Sequence, residues 1–220
     1  MPLSATPLAV YEFDDSGSDA TGAGPTLAGG TYSTTSPKIG THSLRGTAEK
    51  TSPLGNLEAI AAGKHSIAFW FKLPATDICS AYVQNGAVAT GLSVSGDIDT
   101  DIWVLNRSET IGGPTSVLPS TTWRYAVMTW DLVTTKIYID NALKYSVALT
   151  PLSANLAAAK VGVTQNGGTT RYIDQAAFFD VDLSADDITY LYNSGNGLAY
   201  ADWEVTAAET PTTLRNHFYL

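Results

Sequence analysis

The 220-residue chain has one cysteine, Cys79, three histidines, and 12 Lys and Arg residues against 21 Asp and Glu. A single cysteine excludes an intramolecular disulfide and a cysteine-rich zinc site, so stability must come from packing. The formal charge of -9 repels nucleic-acid phosphates and anionic headgroups, which argues against a nucleic-acid partner. No apolar run approaches the ~18 residues that cross a bilayer, so membrane insertion is not expected. His42, His65 and His217 are far apart, and none adjoins a Gly-x-Ser-x-Gly elbow or a metal-spaced partner. No glycine-rich loop precedes a helix to cradle phosphate, because Asn166-Gly-Gly168 falls between two expected strands and reads as a hairpin turn. The opening MPLSATPLAV has no basic segment and is broken by Pro2 and Pro7, unlike a secretory signal.

What the chain has is 44% hydrophobic residues with 19 Gly and 10 Pro spread along it, as many short strands with many turns require. The clearest strand is Ser66 to Lys72, where Ile67, Phe69 and Phe71 share one face and Ala68, Trp70 and Lys72 the other. Both faces are largely apolar, which places this strand in the middle of a sandwich with cover on each side. Arg124 to Trp130 behaves similarly, and Lys136 to Asp140 follows it across a short connection. Asp140-Asn141 then makes a second turn, with Leu143 to Leu149 returning. Further strands are expected at Leu8 to Phe13, Ser80 to Gln84, Gly91 to Ser95, Ile102 to Asn106, Ala159 to Thr164 and Arg171 to Phe179. One segment reads as a helix, Ala185 to Asn193, capped by Ser184 with Asp187 three residues on, stapled by Leu183 and Ile188, and ended by Gly195.

In this order the motifs resemble a known family. Trp123-Arg-Tyr-Ala-Val-Met-Thr-Trp-Asp131 followed by Lys136-Ile-Tyr-Ile-Asp140 is similar to the tryptophan strand and hairpin of laminin-G-like, concanavalin-A-like lectin/glucanase domains. Tyr172 to Asn193 resembles the family's closing strand and helix, Val10 to Asp14 with Asp19 and Gly22 its opening, and Ser66 to Lys72 its central strand. The resemblance spans about residues 8 to 195. It departs from the family's pattern at Asn141, where Gly is usual, and at Gln175, where Glu is usual. The expected fold is therefore all-β, a concanavalin-A-like jelly-roll sandwich of two antiparallel sheets with one short C-terminal helix. The expected organisation is an N-terminal arm over residues 1-7, a domain over 8-200 and a C-terminal tail over 201-220.

This fold carries glucanases, lectins and structural modules, so function must come from a site. Alternation would put Asp97, Asp99 and Asp101 on one face, but Gly96 precedes them and glycoside hydrolysis in the glucanase branch uses longer Glu side chains. The cluster reads either as a solvated acidic turn or as a calcium site, since alternating carboxylates suit a hard cation. No cofactor is required; calcium is the one ion the pattern admits. The resemblance implies Asp19 and Asp174 as further candidates for metal or for structural hydrogen bonding. Of the five tryptophans, Trp70, Trp123 and Trp130 fall in strands that look buried, whereas Trp103 and Trp203 adjoin acidic residues. Trp103 is the expected sugar-stacking platform.

Two functions of different class follow. The first is a non-catalytic surface or decoration protein of a bacteriophage-like particle, a homo-oligomer on the virion surface with capsid or tail proteins as partners, in which Trp203, Phe218, Tyr219 and Leu220 dock outside the parent sandwich with the 1-7 arm as a second contact. The second is an extracellular, calcium-dependent carbohydrate-binding module that meets a cell-surface glycan. A β-glucanase is the third choice.

Overall fold

The computed structural model describes residues 2–45, 50–61, 63–73, 78–85, 88–95, 102–106, 120–148, 157–164 and 171–205. Among them lie strands β1 (Ala9–Tyr11), β2 (Thr31–Ser33), β3 (Ser43–Arg45), β4 (Lys50–Pro53), β5 (His65–Leu73), β6 (Ile78–Asn85) and β7 (Val88–Ser95). The second half adds β8 (Ile102–Asn106), β9 (Ser120–Trp130), β10 (Thr134–Ile139), β11 (Ala142–Ala148), β12 (Ala158–Thr164), β13 (Tyr172–Phe179) and the helix α1 (Ala185–Tyr192). Eight strands form a large sheet in the order β11-β10-β9-β5-β13-β3-β2, with β1 also paired to β13, and the other five form a sheet in the order β4-β12-β6-β7-β8. The pairings are antiparallel, and the two sheets make the expected jelly-roll sandwich.

The alternation read in Ser66 to Lys72 is what joins the layers. Ile67, Phe69 and Phe71 enter the core between the sheets, where they meet Cys79, Val83 and Leu92 of the small sheet. Ala68 and Trp70 face the other way and build a second apolar layer with Tyr125, Val127 and Phe179, covered by Ile188 and Leu191 of α1. The large sheet is thus buried on both faces along its central strands β9, β5 and β13, which is why these are apolar on both.

The helix begins as its sequence predicts. The Ser184 hydroxyl accepts the Asp187 N–H at 3.1 Å and the Asp187 carboxylate accepts the Ser184 N–H at 3.0 Å, a complete capping box. It ends earlier than Gly195, at Asn193, which takes the left-handed conformation (φ 46, ψ 52) while its side-chain amide donates to the Gly197 carbonyl at 2.8 Å. Asparagine tolerates that region because such local bonds offset the strain. The Asp140-Asn141 turn has positive φ at both residues, 50 and 65, the pattern of a tight two-residue hairpin. Asn141 also accepts a hydrogen bond from the Thr189 hydroxyl at 3.1 Å, tying the hairpin to α1.

The terminal segments depart from the sequence reading. Trp203 does not dock outside the parent sandwich: it is only 9% exposed and stacks on Phe179 of the same chain at 6.2 Å and 9°. Its indole N–H donates to the Leu198 carbonyl at 3.1 Å. The physical reason is that burying Phe179 and Trp203 against each other removes both from water. The described part of the N-terminal arm packs beside it. Leu3 is fully buried, its N–H donates to the Glu204 carbonyl at 2.7 Å, and the Ser4 N–H and hydroxyl donate to Asp187 at 2.7 and 2.8 Å.

Candidate functional site

Of the aspartates nominated from sequence, the two described ones, Asp19 and Asp174, organise loops. Asp19 accepts the N–H groups of Val10 (2.7 Å), Ala23 (3.0 Å) and Gly24 (2.7 Å), and also the Thr21 hydroxyl, so it shapes the turn that follows β1. Asp174 is fully buried on β13 and accepts the N–H groups of Lys38 (2.7 Å), Ile39 (3.0 Å) and Gln175 (2.9 Å). Burial pushes its carboxyl up to about 8, and the three amides oppose that shift. Asp14 accepts from the Thr41 and His42 N–H groups, and Asp140 accepts the Tyr125 N–H at 2.9 Å while pairing with Arg124. Among the described residues no group of three or more His, Cys, Asp or Glu side chains is placed to hold a metal. Asp97, Asp99 and Asp101 lie outside the described residues, as do Phe218, Tyr219 and Leu220. Trp103 falls on β8 at the register position opposite Ser93 of β7, and its side chain lies outside the description.

The aromatic platform that the structure does describe is elsewhere, at one end of the outer face of the large sheet. Trp123, which alternation places with the buried tryptophans, is only half-buried, whereas Trp70 and Trp130 are 1% and 4% exposed. The difference is cover. Tyr192 lies stacked on Trp70 at 5.9 Å, Tyr125 packs at 4.8 Å, and the Lys38 ammonium sits 4.3 Å above the ring. Gly197, at φ +72, completes the lid, since a Cβ there would fall 3.1 Å from the Trp70 indole nitrogen and 2.8 Å from Ile39 Cδ1. Trp123 lies beyond this lid, two residues before Tyr125 on β9, and no aromatic ring covers its outer side among the described contacts.

Tyr172 braces it, with ring centroids 6.3 Å apart at 56°. In the sheet register Tyr172 stands between Lys72 of β5 and Arg45 of β3. The Lys72 ammonium lies 5.8 Å from the Tyr172 ring and donates to the Ser36 hydroxyl at 3.0 Å. Lys38 donates to the Gly195 carbonyl at 2.5 Å, and desolvation holds its pKa below the usual lysine value even though Asp174 and Asp140 pull it upward. The arrangement is one half-buried indole with an aromatic neighbour, Tyr172, and the Lys72 ammonium alongside. A sugar ring presents an apolar C–H face and a rim of hydroxyls, and these are the two things such a site can hold.

The sequence reading assigned Trp123 to the core and the platform to Trp103; the structure leaves Trp123 half-buried, and the side chain of Trp103 lies outside the described residues. The available signal was Lys72, a cation closing an otherwise apolar strand on the face of Trp70.

No curated protein matches the chain. Several solved structures share its fold. Domain 4 of an extracellular arabinanase from Geobacillus stearothermophilus, solved in complex with arabinotriose, superposes with a TM-score of 0.66 at 21% identity, over 85% of this chain and 98% of that one. The receptor binding domain of a botulinum neurotoxin C/D mosaic serotype superposes with a TM-score of 0.65 at 17% identity, over 85% of this chain and 51% of that one. The serotype D domain in complex with N-acetylneuraminic acid gives 0.63 at 17% identity, over 85% and 50%. The chain spans about half the length of these toxin domains. A family model described as the concanavalin A-like lectin/glucanases superfamily matches residues 46–189, more than half of the sequence. The protein therefore belongs to the concanavalin A-like lectin/glucanase superfamily.

Proposed function

We propose that the protein is a non-catalytic glycan-binding module whose ligand stacks on Trp123 at the end of the large sheet. The observation that carries this reading is the half-exposed Trp123 ring braced by Tyr172 and flanked by Lys72. Two of the solved structures with this fold carry arabinotriose and N-acetylneuraminic acid, which adds to the case for a glycan partner and for a place of action where glycans are displayed.

One of the features behind the virion-surface reading was the apolar terminal segments; of these, Trp203 packs on its own domain.

A glycan array probed with the full chain and with Trp123→Ala tests the proposal. Binding to a defined set of oligosaccharides that disappears in the variant, with little change in melting temperature, is expected. An array without hits, or hits retained by the variant, would overturn it.

A further inference from the structure

We infer that the sugar held at Trp123 is acidic, with a carboxylate seated against Lys72. This inference rests on the glycan-binding reading of the same site and adds the charge of the ligand.

The chain carries a formal charge of -9, yet Lys72 and Arg45 flank Tyr172 in the sheet register, Arg124 follows Trp123 on β9, and Lys38 sits over the neighbouring Trp70. Two carboxylates, Asp140 and Asp174, lie among them. Asp140 is already paired with Arg124, and Asp174 is buried behind the face with its oxygens on the amides of Lys38, Ile39 and Gln175. Among the described residues the ion pairs are Lys64 with Asp182 and Arg124 with Asp140, and neither Lys38 nor Lys72 meets a described carboxylate within 4.0 Å. Local positive charge in an acidic chain does not follow from composition, and a neutral sugar would gain little from it.

An anionic sugar gains a great deal. Lys72 has three donor hydrogens and spends one described bond on the Ser36 hydroxyl, which leaves its ammonium free to give charge-assisted bonds to a carboxylate. Its ammonium lies 5.8 Å from the Tyr172 ring centroid and is tied to Ser36, so the charged head is held next to the aromatic platform. A ring that stacks its apolar face on Trp123 and carries a carboxylate on its rim satisfies both elements at once. Uronic acids and sialic acids both have this chemistry. A polyphosphate chain fits less well, since it would extend past the patch onto a surface whose net charge repels it.

The test is isothermal titration of the full chain at low salt with four probes: a galacturonate trisaccharide, a sialyl trisaccharide, a neutral trisaccharide of matched length, and a short single-stranded oligonucleotide. One of the acidic sugars should bind at least tenfold tighter than the neutral one, and which of them does so identifies the source. Lys72→Gln should erase that difference while keeping whatever neutral binding exists; Lys72→Met serves as a second variant should Gln perturb folding, with melting curves as the control. Trp123→Ala should abolish binding to every sugar. Equal binding of acidic and neutral probes, or an acidic preference unaffected at position 72, would refute the charge assignment and leave the glycan site standing. No sugar binding at all, or binding insensitive to Trp123→Ala, would refute both. Tightest binding to the oligonucleotide would replace the sugar by a phosphate ligand.

Discussion

His65 of β5 reaches across the sandwich to Thr90 of β7, with its Nε2 3.1 Å from the threonine hydroxyl, its Nδ1 3.2 Å from the Gly63 carbonyl and its ring 5.2 Å from that of Trp130. A polar bridge between two sheets in an apolar core fixes their relative position, and burial there favours the neutral imidazole. Burial lowers its pKa to about 4.

That shift gives the molecule an acid-sensitive joint. In the unfolded chain His65 takes up a proton near pH 6.5, whereas the folded protein resists doing so until about pH 4. Between those values the unfolded state binds more protons, so stability falls as pH falls, by roughly 3 kcal/mol over the whole window. Urea unfolding of the wild type and of His65→Gln between pH 4 and 7 measures it. The stability gap between the two should narrow on acidification; parallel curves would show that His65 titrates normally.

Asp174 has the opposite sign. Its folded pKa of about 8 lies above the unfolded value of 3.8, so between them the folded state holds the extra proton and this group's contribution declines as pH rises. Asp174→Ala leaves the amides of Lys38 and Ile39 without their acceptor, a loss of about 2 to 4 kcal/mol for two buried donors. The loss should be greater at pH 5 than at pH 8. A loss that grows with pH would mean the carboxylate is ionised in the folded protein.

Much of this architecture was legible in the chain, and the limits were physical. β5, β9 and β13 were readable because apolar residues alternate over many positions, and the helix because Ser184 and Asp187 stand three apart. β2, β3 and β4 were not, being polar runs of three or four residues that gain their strand geometry from neighbours in the sheet. The site was legible only in part. Alternation puts Trp70 and Lys72 on one face, but only tertiary packing brings Lys38 onto Trp70 and leaves Trp123 half-buried. Asp174 looked like a metal candidate because nothing local reveals that its acceptors face the amides of residues more than a hundred positions away.

Trp123 and Trp70 should separate stability from binding. Trp70→Ala empties the space beneath Tyr192 and should cost about 3 to 5 kcal/mol, as large buried aromatics do. Trp123→Ala removes a half-exposed ring and should cost no more than about 1 to 2 kcal/mol. Differential scanning calorimetry of both variants decides the matter: comparable losses would place Trp123 in the core after all and remove the platform.

The last expectation concerns the way the chain ends clamp α1. Asp187 accepts four bonds, from the N–H and hydroxyl of Ser184 and from the N–H and hydroxyl of Ser4, so the residue that caps the helix also holds the N-terminal arm. Burial raises the pKa of this carboxyl, but the Ser184 and Ser4 bonds outweigh it and leave the group below the usual carboxylate range. Asp187→Ala removes the cap and the latch together and should destabilise by about 1 to 2 kcal/mol. The effect should also be local. Leu3 N–H, bonded to the Glu204 carbonyl beside the buried Trp203, should lose protection from hydrogen exchange far more than the amides of β5. If Leu3 and β5 lose protection equally, the arm unfolds only with the whole domain and Asp187 is no latch. If Leu3 keeps its protection, the parallel bridge between Leu3 and Val205 and the seat of Trp203 on Phe179 hold the two termini without help from the helix.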